Sequence, residues 1–200
     1  MRNNLNKFQR CPRCENYMIN LAMKQALEEL NIPKHKVVIV SWIWCSWKMS
    51  QYIDWYAAET LHGRGIPFAT GVKLANDDLT VISYSGDGDT YGIGLWHLMH
   101  AARRDINILH IVADNQNYAL TTGQASPTTP EEIKTSSTPD GNHTPPFDTE
   151  KLIESTGCKY NVRVKDNDIA WLKKAIIEWI KHKWFSHLNI QQACPSFKKW

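Results

Sequence analysis

Leu79-Thr80-Val81-Ile82-Ser83-Tyr84-Ser85 runs directly into Gly86-Asp87-Gly88-Asp89-Thr90-Tyr91-Gly92, and a helical pattern over residues 92–104 follows. A short apolar run rich in β-branched residues and bounded by glycine is a buried strand. Val37 to Ser41 and Ile106 to Ala113 repeat that pattern, while Tyr160 to Val164 and Leu188 to Ile190 are weaker strands. Residues 17–30 place Met18, Leu21, Ala22, Leu27 and Leu30 at helical spacing, stopped by Asn31 and Pro33. Residues 168–182 form another helical segment. Short buried strands separated by helices predict an α/β fold, a parallel sheet with helices on both faces.

A chain of 200 residues is one domain of ordinary size or one large domain missing a piece, and 42% hydrophobic with 22% charged residues argues against a disordered chain. The longest uncharged apolar stretch, Val37 to Trp47, falls well short of the roughly 18 residues of a membrane span. Met1 to Lys7 lacks the apolar core of a signal peptide, so a cytoplasmic chain without a membrane partner is expected. The net charge of +3 is too small to point to nucleic acid. Lys181, Lys183, Lys198 and Lys199 make the end basic, either a solvated face or a docking surface for an acidic partner. Between Thr121 and Pro146 periodicity gives way to Thr, Ser, Pro and Gly. That stretch is either a linker or a functional loop within one domain over residues 1–200.

The turn after the strand over 79–85 is rich in glycine, and free N–H groups at such a strand-to-helix turn receive phosphates. It is neither a dinucleotide fingerprint nor a P-loop. Asp87 would repel a bare diphosphate and suits a magnesium ion bridging to one. A second oxygen ligand is expected at the end of the strand over 106–113, where Asp114-Asn115-Gln116-Asn117 stands. Cys11 and Cys14 form a C-x-x-C pair, followed singly by Cys45, Cys158 and Cys194. Such spacing suits zinc or an iron–sulfur cluster, with buried or incidental thiols as the alternative.

Three longer stretches accompany the Gly-Asp-Gly turn: Leu61-His62-Gly63-Arg64-Gly65-Ile66-Pro67-Phe68-Ala69-Thr70-Gly71, His100-Ala101-Ala102-Arg103-Arg104, and Thr122-Gly123-Gln124-Ala125-Ser126-Pro127-Thr128-Thr129-Pro130. Together they closely resemble the beta subunit of 2-oxoacid:ferredoxin oxidoreductases, from Cys11 to Phe197. The resemblance implies a thiamine-diphosphate-binding fold and CoA-dependent oxidative decarboxylation of a 2-oxoacid. It implies Cys11, Cys14, Cys45 and Cys194 as ligands of a [4Fe–4S] cluster, leaving Cys158 as a structural thiol. It implies Asp87, the Asn115 side chain and the Asn117 carbonyl as magnesium ligands. Ile43, Trp44, Cys45, Ser46, His62, Gly88, Asp89, Ala119 and Leu120 then line thiamine diphosphate. The implied partners are an alpha subunit, ferredoxin, the 2-oxoacid and coenzyme A. Lys48 is a candidate for the substrate carboxylate, and His97 with His100 is expected to be packing.

Arg13, Glu15, Trp42, Trp44, Trp96, Ala119 and Trp184 stand where the family pattern has glycine. Indole in a glycine-sized space overpacks, at about 1–3 kcal/mol per site. The competing expectation is therefore a non-catalytic binding or scaffold protein. Its pocket would be partly filled by Trp42 and Trp44, and its cysteines would hold a structural metal such as zinc.

Overall fold

The computed structural model describes residues 11–43, 45, 49–165 and 168–197. In chain order the elements are α1 (Asn16–Glu29), β1 (Val37–Ser41), α2 (Met49–Tyr52), β2 (Tyr56–Glu59), α3 (Gly65–Ala75), β3 (Thr80–Gly86), α4 (Leu95–Arg103) and β4 (Leu109–Asp114). β5 (Asn117–Tyr118), β6 (Gln124–Ala125), α5 (Thr149–Glu154), β7 (Tyr160–Val164), α6 (Ile169–Lys181) and β8 (Ser186–Gln191) follow. Six strands form one sheet in the order β2-β1-β3-β4-β8-β7. Every pairing in it is parallel. β5 and β6 form a separate antiparallel ribbon.

The period of two along each strand divides the core into two layers. Ile39, Ile82, Ile111 and Leu188 face α1 and α6, meeting Ile19, Met23, Leu27, Leu172 and Ile176. Val40, Val81 and Val112 face the opposite way, toward Ile66 and Ala69 of α3, Leu98 of α4 and Ile153 of α5. Each fully buried aliphatic side chain contributes about 1.5–3 kcal/mol of transfer free energy, so both layers are needed. Helices therefore cover both faces of a parallel sheet, as expected. No helix among the described residues is long and apolar enough to cross a membrane.

Some boundaries differ from the sequence expectation. The strand over 106–113 begins at Leu109, because Asp105 turns with positive φ and residues 106–108 cross to the sheet. β8 is longer than residues 188–190 and is paired on both sides, by β4 and β7, with Ser186, His187 and Asn189 buried. The helix over 92–104 is preceded by a wide helical turn, Gly88–Ile93, broken at Gly92. The stretch over 121–146 is a loop folded onto the ends of β3 and β4, with Thr129 and Asn142 buried in it.

Candidate functional site

The carboxyl ends of β3 and β4 open into a cleft of about 320 Å³, bordered by Asp87, Asp89, Asn115, Asn117, Ala119 and Cys45. The topology dictates the place, since ligands of parallel sheets lie outside the strand carboxyl ends. Gly88 has to be glycine: a Cβ there would come within 2.0 Å of the Tyr118 ring. The Tyr118 hydroxyl donates to the Gly88 carbonyl at 3.2 Å, so the β5 segment is laid across the turn.

Asp87 ends β3 almost wholly buried, at 2% exposure. Its Oδ2 accepts from the Ser126 hydroxyl at 2.6 Å and from Thr128 at 2.8 Å. Burial first, and then the charge of Asp114, pushes the Asp87 carboxyl up to about 7. Asp114 is buried as well, and desolvation likewise raises its pKa. Thr128 stands between the two, 2.9 Å from Asp114 Oδ1, while Asn189 Nδ2 lies 3.2 Å from Asp114 Oδ2. Arg163 is the cation on this side, 3.9 Å from Asp114 Oδ2.

The next turn carries the amides. Asn115 Oδ1 accepts from the Asn117 N–H at 3.1 Å, and Asn117 Nδ2 donates back to the Asn115 carbonyl at 2.9 Å. Asn117 Oδ1 is buried with no hydrogen-bond partner among the described residues. An acceptor without a donor, in a cleft that a desolvated carboxylate also borders, is a place for a cation. The donors are all hard oxygens, the set that magnesium prefers. The residues present therefore fit a magnesium ion.

Asp89 is fully buried, and its Oδ1 is hydrogen-bonded to His62 Nδ1 and accepts from the Gly63 N–H at 2.6 Å. Burial raises its pKa, opposed by His62 and by the Gly63 and Ile43 amides. The carboxylate fixes the imidazole orientation, a role that the sequence assigns only as part of a lining. Ala119 lies in the cleft wall, whereas Leu120 is 57% exposed and does not border the cleft. Trp44, Ser46 and Lys48 lie outside the described residues. The Arg64 guanidinium donates to His97 Nε2 at 3.4 Å, an exposed polar contact rather than the expected packing.

The cysteine segments converge on one side of this cleft. The Ser196 hydroxyl is 3.1 Å from Cys11 Sγ, and the Ala193 N–H donates to the Glu15 carboxylate, joining the C-x-x-C turn to the Cys194 segment. Asn16 Nδ2 lies 3.6 Å from Cys14 Sγ, and Asn16 and Cys45 border the same cleft. None of the five cysteines forms a disulfide. Among the described residues no three cysteine, histidine or acidic side chains stand at ligating distance from one point. Cys158 is apart from them, within 3.6 Å of the Tyr160 and Phe185 carbonyls, as a structural thiol should be.

Among the described residues, Trp42, Trp96 and Trp184 are accommodated. Trp42 is fully buried and its indole N–H donates to Ser83 at 2.8 Å. It lies over Gly65 and Gly94, where a Cβ would come within 1.5 and 2.8 Å of the ring. The expected overpacking there is relieved by two other glycines, and Trp42 is not in the cleft wall. Trp96 is 74% exposed, and Lys159 stacks over the half-exposed Trp184. Strain persists elsewhere. Arg13 has φ +63° and Thr122 φ +80°. A β-branched residue in the left-handed region is a genuine outlier, costing about 1–3 kcal/mol. Thr122→Gly is expected to raise the melting temperature by a few degrees, about 2–4 °C per kcal/mol gained at this size. A lowered melting temperature in differential scanning calorimetry would refute the strain.

Residues 34–190 match the family model of the thiamine pyrophosphate enzyme C-terminal TPP binding domain. Over 189 residues the chain is 39% identical to 2-oxoglutarate synthase subunit KorB of Archaeoglobus fulgidus, covering 94% of this chain and 70% of that one. It is 42% identical to the 2-oxoacid:ferredoxin oxidoreductase subunit beta of Saccharolobus solfataricus, covering 62% of that relative. Among solved structures, the 2-oxoglutarate:ferredoxin oxidoreductase from Magnetococcus marinus superposes with a TM-score of 0.94 at 34% identity. That match covers 96% of this chain and 66% of its counterpart, which holds 2-oxoglutarate, coenzyme A and succinyl-CoA. The chain thus spans roughly two thirds of these relatives. With the strand-end cleft, its oxygen donors and the convergent cysteine segments, this similarity places the chain in the family of 2-oxoacid:ferredoxin oxidoreductase beta subunits.

Proposed function

We propose that residues 1–200 act as one thiamine-diphosphate-binding domain of an enzyme that oxidatively decarboxylates a 2-oxoacid. The acyl group goes to coenzyme A, carbon dioxide leaves, and the electron pair passes to ferredoxin. The observation that carries this reading is the desolvated Asp87 carboxyl beside the unpartnered Asn117 Oδ1 at the strand ends. Asp87, the Asn115 side chain and the Asn117 carbonyl would hold magnesium. Ile43, Trp44, Cys45, Ser46, His62, Gly88, Asp89, Ala119 and Leu120 would line the cofactor. Cys11, Cys14, Cys45 and Cys194 would hold a [4Fe–4S] cluster. When bound, thiamine diphosphate supplies the carbon nucleophile and the cluster the one-electron acceptor.

The residues of the chain perform positioning and electrostatics. Asp87 brings negative charge to the cation, and Asp89 orients His62 at the mouth of the cleft. Tyr118 closes one side over Gly88 and excludes water from the turn. Leu61, Ile93 and Trp96, all more than half exposed around the His62–Gly63 turn, supply apolar surface for an alpha chain. Cysteines without disulfides suit the reducing cytoplasm.

Iron and acid-labile sulfide of the anaerobically purified chain test the cluster, with about four of each expected. Quenching of tryptophan fluorescence by thiamine diphosphate, dependent on magnesium, tests the cofactor. Zinc in place of iron after anaerobic reconstitution would overturn the electron-transfer role. Quenching that ignores magnesium would overturn the assignment of Asp87.

A further inference from the structure

We propose that Ser126 and Thr128 are positioning residues that set the Asp87 carboxylate for its cation, an inference that rests on the cofactor reading above. Both hydroxyls donate to the same oxygen of Asp87, Oδ2, at 2.6 and 2.8 Å. Both side chains are buried, Thr128 almost completely. Thr128 Oγ1 also lies 2.9 Å from Asp114 Oδ1, so its single proton is shared between the carboxyls at the ends of β3 and β4.

The same loop grips the turn that carries the other donors. The Ser126 N–H donates to Thr129 Oγ1 at 2.7 Å, and that hydroxyl donates to the Gln116 carbonyl at 2.6 Å. Gln116 Nε2 returns a bond to the Thr128 carbonyl at 3.3 Å. Gln116 itself sits at φ +60° between Asn115 and Asn117. Pro127, with its restricted φ, separates the two hydroxyl-bearing residues. Ser126 to Thr129 is thus a clasp between Asp87 and the Asn115–Asn117 turn.

The physical reason for such a clasp is the poor state of a bare carboxylate there. Desolvated and close to Asp114, Asp87 gains little from water, and two O–H donors on Oδ2 spread its charge. They also pin the carboxylate plane and leave Oδ1 to meet a cation, so the oxygen that binds is chosen in advance. Neither hydroxyl touches the cation in this arrangement; each acts through Asp87. Groups that orient a ligand in this way typically contribute 10–100-fold to metal affinity.

The test uses the full chain with manganese(II) as the probe, in the presence of thiamine diphosphate. Loss of the free-ion electron paramagnetic resonance signal gives the Kd. Thr128→Val and Ser126→Ala are each expected to weaken manganese by about 10–100-fold, while Thr128→Ser returns it close to the wild-type value. Should Thr128→Val fail to fold, Ser126→Ala removes the other donor to the same oxygen and decides alone. Variants with a lowered metal-free melting temperature and an unchanged Kd would show a purely structural role and overturn the proposal. Wild-type chain that binds no manganese with thiamine diphosphate would instead overturn the cofactor reading on which the proposal stands.

Discussion

Asp87→Asn is expected to weaken manganese binding at least 100-fold and, with EDTA present, to melt at a higher temperature than the wild-type chain. Both effects have one cause. Asp87 is buried beside Asp114, and desolvation followed by that like charge pushes its carboxyl up to about 7. In the unfolded chain the same group titrates near 3.8. Between those values the folded state keeps a proton that the unfolded state has lost, so metal-free stability falls as pH rises through the window. The loss accumulates at about 1.4 kcal/mol per pH unit while only the unfolded chain has given up its proton.

Asparagine keeps an acceptor for Ser126 and Thr128 and carries no charge. The variant should therefore lack this slope. Melting in EDTA at pH 5 and pH 8 measures it, with a gain of at least a few degrees at pH 8, about 2–4 °C per kcal/mol at this size, and a much smaller one at pH 5. A variant that melts below wild type at pH 8 would show that the carboxylate is satisfied without a cation. An unchanged manganese affinity would remove Asp87 from the ligands. The combination expected here, lost binding with gained stability, is the signature of a group kept for its ligand rather than for the fold.

The same separation explains what was legible in the sequence. Val37 to Ser41 and the run over 79–85 announced themselves because strands buried on both faces must be apolar throughout. β2 was missed because Tyr56-Ala57-Ala58-Glu59 is an edge strand, largely exposed, with no apolar pattern to see. β8 looked weak because Ser186, His187 and Asn189 alternate with its apolar residues, yet all three are buried. α3 was hidden by Gly65, Pro67 and Gly71, although proline is tolerated in a first turn.

In the site, Asp87 and Asn115 stood out because turns at strand ends are local in sequence. Asp114, Ser126 and Thr128 had no assigned role, since their meaning comes from contacts 14 to 41 residues apart. Trp42 misled for the same reason. Its space is made by Gly65 and Gly94, which no local reading of residues 42–45 could supply. Residues whose chemistry is local were readable, and those defined by cross-strand neighbours were not.

One such cross-strand group governs the acid limit of the fold. His187, in strand β8, is buried and holds its pKa down at about 3, with desolvation as the cause. Its neighbours fix the neutral tautomer. The Asn161 amide oxygen lies 2.9 Å from Nδ1 and accepts its hydrogen, because Asn161 Nδ2 already donates to the Glu150 carbonyl. Nε2 then accepts from the Tyr91 hydroxyl at 3.0 Å, which in turn accepts from Asn189 at 2.8 Å. A second proton would face the Tyr91 oxygen with no water to help. His110, whose ring centroid is 5.8 Å away, is pushed in the same direction by burial and by His187.

The sign is the opposite of that for Asp87. Below pH 6.5 the unfolded chain takes up a proton on this histidine that the folded chain refuses. The stability present above pH 6.5 is therefore lost as pH falls toward 3, at about 1.4 kcal/mol per unit. His187→Gln keeps a neutral polar side chain that does not titrate. It is expected to be less stable than wild type at pH 7.5 by about 1–2 kcal/mol, for imperfect hydrogen bonds. The gap should narrow from pH 6 downward and reverse near pH 5. Urea unfolding of both proteins from pH 7.5 to 4.5, in EDTA, reads this directly. The carboxyls of Asp87 and Asp114 titrate in both proteins, so the difference between the two curves isolates the histidine. Parallel curves would mean that the His187 ring is reached by water and charges freely.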